Sequence, residues 1–265
     1  DLARDILQEM QDVGCHANQV MVDTLIKGAL AAGDMETANM LFKKMASMNV
    51  LPGRATYNIL IHGFSKLGRL DQAWEFKKEM RREGFLPDMY TYTVLIRALC
   101  KQGKMQASID LMKEMRLNKV VPDVVTFNTL AVGFCEASLI DDAIKVFDCM
   151  SNMGCPPDRI TYNILIDGLC KHDRLYEAQC LMNKLLKNDA LTPNIVTFSC
   201  LLDGLLKHRK VAEAYELLNK MKEYCEIDRF NYTMVLNALC QQSMWDEAGE
   251  VLKEMKERGC YPNHI

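Results

Sequence analysis

The stretch from Arg54 to Asp88, RATYNILIHGFSKLGRLDQAWEFKKEMRREGFLPD, decides the architecture, because the rest of the chain repeats its pattern. Set beneath it, later segments keep a group of columns in register with a period of 35 residues. Self-similarity at a fixed period of this kind marks an array in which each unit covers its neighbour. Within the stretch, Leu60, Ile61 and Phe64 share one face of a helical segment, Thr56–Lys66, which Gly68 ends. Ala73, Phe76, Lys77 and Met80 share a face of a second segment, Asp71–Arg82, closed by Gly84 and Pro87. Each repeat is thus a helical hairpin whose apolar face only its neighbours can bury.

Seven complete repeats follow from this register: 19–53, 54–88, 89–123, 124–158, 159–194, 195–228 and 229–263. Residues 1–18 are the second half of a truncated repeat, and 264–265 begin another. The fifth repeat carries one extra residue near Asp189 to Leu191, and the sixth is one residue short. The expected fold is all-α: a right-handed α-solenoid superhelix of stacked 35-residue helix-turn-helix repeats. Two columns explain close stacking. Column ten holds Gly28, Gly63, Ala98, Gly133, Gly168, Gly204 and Ala238; column twenty holds Ala38, Ala73, Ser108, Ala143, Ala178, Ala214 and Ala248. Leu25, Leu60, Leu95, Leu130, Leu165, Leu201 and Val235 recur at column seven as core. So do Met45, Met80, Met115, Met150, Leu185, Met221 and Met255 at column twenty-seven.

Composition narrows the function classes. A formal charge of −3 and a pI near 6.0 argue against a strongly basic nucleic-acid clamp, while leaving room for one locally basic groove. Cys100, Cys135, Cys170 and Cys240 share a column, one repeat-width apart, too far for a bridge; they read as small buried hydrophobes in a reducing compartment. No apolar run approaches the roughly 20 residues that a membrane helix needs. The chain opens inside a helical pattern without a Met start, so a fragment lacking its targeting peptide is expected. Chemistry-bearing signatures are missing: no H-x-E with P-C-x-x-C, no C-x-x-C, no phosphate-cradling Gly-rich loop, no H-E-x-x-H. His16, His62, His172, His208 and His264 lack ligand spacing and read as surface or structural. No cofactor, metal, membrane or small-molecule substrate is expected, and no enzyme activity.

VVTFNTL at 124–130, RITYNILIDGLCK at 159–171 and IVTFSCLLDGLLK at 195–207, with most repeats ending Pro-Asp or Pro-Asn, resemble the pentatricopeptide repeat family. The resemblance covers essentially the whole chain. The Trp, Leu-Gly and Tyr columns of the tetratricopeptide repeat, of about 34 residues, are not seen. Near-uniform length resembles the P-class, and the Leu-Cys-Lys units resemble restorer-of-fertility-like plant organellar members. That resemblance implies a mitochondrial, alternatively chloroplast, protein that reads single-stranded RNA one base per repeat, N-terminus towards the 5′ end. The resemblance extends to organellar ribosome or nuclease partners.

In that family the fifth and last residues of each repeat choose the base, and the second packs against its face. Carried onto this chain, the pairs are Asp23 with Gly53, Asn58 with Asp88, Thr93 with Asp123, Asn128 with Asp158, Asn163 with Asn194, Ser199 with Asp228, and Thr233 with Asn263. The family's preferences then give N-U-G-U-(C/U)-G-A, with the first position unassigned because Gly53 has no side chain. Chemistry agrees: an acceptor-only carboxylate satisfies the imino N–H of uracil or guanine, and an amide N–H serves the bare ring nitrogen of cytosine or adenine. The second-position residues are Val20, Ala55, Tyr90, Val125, Ile160, Val196 and Phe230. They wedge against or stack on bases, or else merely pack on adjacent repeats. Lys66, Lys101, Lys171 and Lys207 share column thirteen, interrupted by Glu136. They form a phosphate-contacting stripe, or else a solvated helix end where Lys is favoured anyway. The alternative function is a structural subunit of an organellar ribosome or other ribonucleoprotein, binding rRNA or protein with the base-reading residues idle.

Overall fold

The computed structural model describes residues 18–188 and 190–260. Among them lie fourteen helices and no strand. They are α1 Gln19–Ala31, α2 Met35–Ser47, α3 Arg54–Lys66, α4 Leu70–Arg82, α5 Met89–Lys101, α6 Met105–Leu117, α7 Val124–Glu136, α8 Ile140–Asn152, α9 Arg159–Lys171, α10 Leu175–Leu186, α11 Ile195–Lys207, α12 Val211–Met221, α13 Arg229–Gln241 and α14 Trp245–Glu257. Asn263, His16, His264 and the half-repeat over 1–17 lie outside the described residues.

Two compact lobes, 1–133 and 134–265, divide the chain. In the N-terminal lobe α1 packs on α2 and α3, α3 on α4 and α5, and α5 on α6. In the C-terminal lobe α9 packs on α10 and α11, α11 on α12 and α13, and α13 on α14. Within each lobe, odd-numbered helices therefore meet their hairpin partner and the next odd-numbered helix, the stacking that makes an all-α solenoid.

The hairpins begin and end for local reasons. α5, α7, α9 and α11 open on an Asp or Asn followed three residues later by Thr, and at α5, α9 and α11 the two cap each other reciprocally. Thr91 N donates to Asp88 Oδ1 at 2.9 Å while Thr91 Oγ accepts from Asp88 N at 3.3 Å. Odd-numbered helices end in a left-handed residue: Gly33, Gly68 and Gly103 in the N-terminal lobe, but Ser138, Asp173, Arg209 and Ser243 in the C-terminal one. The residue after the last helical one often reaches back to that turn in the preceding hairpin. Gln102 Nε2 donates to Gly68 O at 2.9 Å and Gln242 Nε2 to Arg209 O at 3.1 Å. His172 Nε2 lies 3.1 Å from Ser138 Oγ, and His208 Nε2 lies 3.5 Å from the Asp173 carboxylate. Two of the scattered histidines are thus stitches between hairpins.

Core columns are buried as their spacing requires. Met45, Met80, Met115, Met150, Leu185, Met221 and Met255 are fully inaccessible. Gly63, Gly133, Gly168 and Gly204 of column ten receive the preceding repeat's column-twelve side chain. A Cβ on Gly168 would sit 2.5 Å from Cys135 Sγ, and one on Gly204 would sit 2.5 Å from Cys170 Sγ. Burial pushes these thiols up, to about 11 for Cys135 and about 12 for Cys170, so they are packing atoms with little thiolate character. Lys77 joins its apolar face as a charge: only 3% exposed, it holds both Glu114 carboxylate oxygens at 2.9 Å and lies 4.5 Å from the Trp74 ring centroid. The residue missing from the sixth repeat comes out of α12, which has 11 residues where α4, α6 and α8 have 13.

Candidate nucleic-acid interface

Where it carries a side chain among the described residues, the last residue of a repeat caps a helix and faces the groove. Asp88, Asp123, Asp158, Asn194 and Asp228 accept the N–H three residues on, from Thr91, Thr126, Thr161, Thr197 and Asn231, at 2.8–3.1 Å through Oδ1. One side-chain oxygen is spent on starting the helix, and the other group remains for a neighbour or a ligand. Asp228 keeps this geometry despite the residue lost before it.

Fifth residues reach the same place from the preceding hairpin. Asn58 Nδ2 donates to Asp88 Oδ2 at 3.1 Å, and Thr91 Oγ donates to Asn58 Oδ1 at 2.6 Å. Thr197 Oγ likewise donates to Asn163 Oδ1 at 2.6 Å. The shorter residues fold back: Thr93, Ser199 and Thr233 each donate to the carbonyl four residues earlier on their own helix, at 2.7–2.8 Å. Thr93 Oγ also lies 2.8 Å from Thr126 Oγ. Asn128 is half-buried on α7, and its partner by sequence, Asp158, belongs to the other lobe. Burial works to raise the Asp88 carboxyl, but hydrogen bonds from Thr91 and Asn58, with Arg54 close by, hold it below the usual carboxylate value. It is therefore ionised at neutral pH.

Third-position Thr is the participant that sequence reading missed. Its signal was present: Asp-x-x-Thr is a capping signature, and a capping residue's position is fixed by the backbone.

The second-position side chains stand out from the fold. Val20, Tyr90, Val125, Ile160, Val196 and Phe230 are 49–72% exposed, and Ala55 is exposed too. Between α1, α3 and α5 a cavity of about 460 Å³ brings together Ala55, Asn58, Lys66 and Tyr90 with Lys27 and His62 at its rim. The His62 ring meets that of Tyr90 edge-on at 6.0 Å. Burial, and then Lys66, Arg97 and Lys27, depress the His62 imidazole below its ordinary value.

The lysine stripe splits in two. Lys66 and Lys101 are exposed and make no ion pair among the described residues. Lys171 is bound to Asp167 at 2.6 Å and Lys207 to Asp203 at 2.5 Å, each one helical turn away. Among the described residues no cluster of His, Cys, Asp or Glu is placed to hold a metal ion, and no helix is long and apolar enough to cross a membrane.

A stack of capped helical hairpins with side chains regularly offered along one set of helices defines a repeat-type binding scaffold. The profile of the PPR repeat family matches residues 17–66, 52–101, 94–136, 122–171, 193–228 and 227–265, and a single PPR repeat matches 160–189. The chain belongs to the PPR repeat family. Among solved structures it is similar to the pentatricopeptide repeat protein PPR10 from maize, at 18% identity and TM-score 0.55, over 98% of this chain and 52% of that one. It is also similar to PPR10 in complex with an 18-nt psaJ RNA element, at 24% identity and TM-score 0.53, over 98% of this chain and 43% of that one. A third is the PPR domain of Arabidopsis thaliana protein-only RNase P 1 in complex with tRNA, at 16% identity and TM-score 0.56, over 70% of this chain and 97% of that one. The chain spans about half the length of PPR10. These likenesses carry the fold. A search of curated proteins finds no match.

Proposed function

We propose that this chain binds single-stranded RNA in a sequence-specific way, one base per repeat along the seven repeats drawn from the sequence, with a site near 5′-N-U-G-U-(C/U)-G-A-3′. It acts by occupying that site in organellar RNA processing, stabilisation or translation, without chemistry of its own. P-class, restorer-like character and a mitochondrial (alternatively chloroplast) setting belong to this proposal. Support from relatives is that PPR10 is described with an RNA element and the protein-only RNase P 1 domain with tRNA.

The observation that carries the proposal is the shared cavity of Ala55, Asn58, Lys66 and Tyr90. It joins a face-packing residue from each of two successive hairpins, an edge-reading amide and a phosphate-seeking cation. Asp88 Oδ2 keeps lone-pair capacity beside the Asn58 amide and can take an imino N–H. The geometry also rationalises fifth-residue choice. Asn reaches across to the next hairpin and narrows the space, whereas Thr and Ser turn back to their own helix and leave room for a purine.

The test is binding of labelled UGUCGA-containing RNA against scrambled and double-stranded controls at fixed salt. The matched strand should bind tightest, and equal affinity for all three would leave the structural-subunit alternative standing. Thr93→Asn places at α5 the side chain that Asn58 offers on α3. The third nucleotide preferred should move from G towards U, with a change on the scale of 1–3 kcal/mol, about that of a base-edge pair.

A further inference from the structure

Sequence leaves the first repeat blank, because Gly53 offers nothing where other repeats place a carboxylate or amide. The space at Gly53 is nevertheless filled. Its backbone is extended, at φ −111, so any residue could adopt it. A Cβ there would lie 2.6 Å from Gln19 Nε2 and 3.4 Å from Gln19 Oε1. The Gln19 carboxamide therefore occupies the volume of the missing side chain.

It leaves the Thr56 N–H without a side-chain cap but bonds to the same threonine. Where a repeat ends in Asp or Asn before a Thr, the hydroxyl meets that last side chain; Thr56 Oγ accepts from Gln19 Nε2 at 3.3 Å and, like its counterparts, from the last residue's N–H, here Gly53 N at 3.1 Å. On the fifth-position side stands Asp23, 8% exposed, whose Oδ1 is buried without a hydrogen-bond partner among the described residues. Burial raises the Asp23 carboxyl, against the pull of hydrogen bonds from Thr56 and Gln19. Compared with the Asn58–Asp88–Thr91 trio, this trio exchanges the places of amide and carboxylate.

We infer that Gln19 is the base-selecting residue of the first repeat and that, with Asp23, it selects adenine or cytosine. The inference rests on the RNA-reading function proposed above. An amide nitrogen has two N–H groups: one is donated to Thr56 and the second, turned towards Asp23, is the one for which a base edge competes. Adenine and cytosine each place a bare ring nitrogen, an acceptor, next to an exocyclic amino donor. A base edge that inserts between the two takes the second Gln19 N–H on its ring nitrogen and gives its amino N–H to the Asp23 carboxylate so released, as it would between Asn58 and Asp88. Guanine and uracil invert both: their ring N–H faces a donor and their carbonyl oxygen faces the carboxylate. A buried polar group left without its partner discriminates strongly against the wrong base.

The experiment measures binding of four labelled heptamers, N-U-G-U-C-G-A with each base at N, and of a fifth RNA with A first and the third-position G changed to U. Wild-type protein should bind the A or C heptamer at least about fivefold tighter than the G and U heptamers. Gln19→Ala should erase that preference while leaving the third-position penalty intact. The double variant Gln19→Glu with Asp23→Asn copies the Asn58–Asp88 arrangement and should turn the first preference to U; far-UV circular dichroism melts confirm that both variants fold. Equal binding of all four heptamers by wild type, with the third-position change still costly, overturns the inference and leaves the RNA-reading function standing. Equal binding together with a costless third-position change overturns both.

Discussion

The two lobes carry the same lysine column and use it differently. On α3 and α5, Lys66 and Lys101 stand free beside Lys27, His62 and Arg97. On α9 and α11, Lys171 and Lys207 are each neutralised by an aspartate one turn earlier, and α13 offers Asn237 and Gln241 at the corresponding places. A cation's use depends on what lies at i−4 as much as on its own column. If the proposed RNA-binding function holds, the N-terminal lobe supplies the attraction for a polyanion and the C-terminal lobe supplies base partners without it. Overall charge near neutrality hides this division.

A second contrast lies in the core and predicts the largest effect. Lys77 occupies the position that Phe147, Met182 and Leu218 fill in the C-terminal lobe, all buried. Glu114→Ala strands that buried ammonium. Breaking a buried pair costs several kcal/mol; because Glu114 is a third exposed and Lys77 keeps the Trp74 face, the expected loss is about 2 kcal/mol in thermal or urea unfolding. The combined change Lys77→Met with Glu114→Gln, which copies the apolar solution, should recover most of it. A double variant as unstable as Glu114→Ala would show that the charge itself is required.

Next in size, the charge contrast breaks by truncation. Lys66→Ala with Lys101→Ala should weaken RNA binding roughly tenfold at low salt and lower the slope of log K against log salt by about 1.4, two contacts at about 0.7 each. Lys171→Ala with Lys207→Ala should change the slope little. Fluorescence anisotropy over a salt series separates the cases, and equal slopes for the two doubles would refute the division. The converse pair, Asp167→Asn with Asp203→Asn, frees both C-terminal lysines; a gain of about threefold in affinity and a steeper slope are expected.

Much of the fold was open to sequence reading, because a solenoid repeats its constraints: a Met that must be buried between helices recurs every 35 residues, as Met45, Met80 and Met115 do. Some of the site was equally open and went unread. The Asp-x-x-Thr caps and the Asp167–Lys171 spacing are local signals within one helical turn. Gln19 was closed to such reading, since its meaning comes from contact with Gly53, 34 residues on, in the next hairpin. A residue that acts by filling another's absence has no column of its own.

The smallest effect sharpens the lobe comparison at the turns. After the odd-numbered helices, Gly33, Gly68 and Gly103 hold the left-handed residue in the N-terminal lobe, where Ser138, Asp173, Arg209 and Ser243 do so in the other. A non-glycine residue in that conformation costs about 1–2 kcal/mol. Glycine in turn loses more freedom on folding, by roughly 0.4–1 kcal/mol against alanine. At Arg209 the side chain is exposed and the contact it supports is a backbone one, Gln242 Nε2 to Arg209 O, which glycine keeps. Arg209→Gly should therefore stabilise the chain by about 0.5 kcal/mol, the first cost less the second. Gly68→Ala is the mirror experiment: nothing lies within 4 Å of its would-be Cβ, so the loss it causes is backbone strain alone and should be of like size. If Arg209→Gly lowers the melting temperature instead, the arginine must be contributing a contact beyond its turn, and the two lobes would differ at these positions for reasons other than backbone conformation.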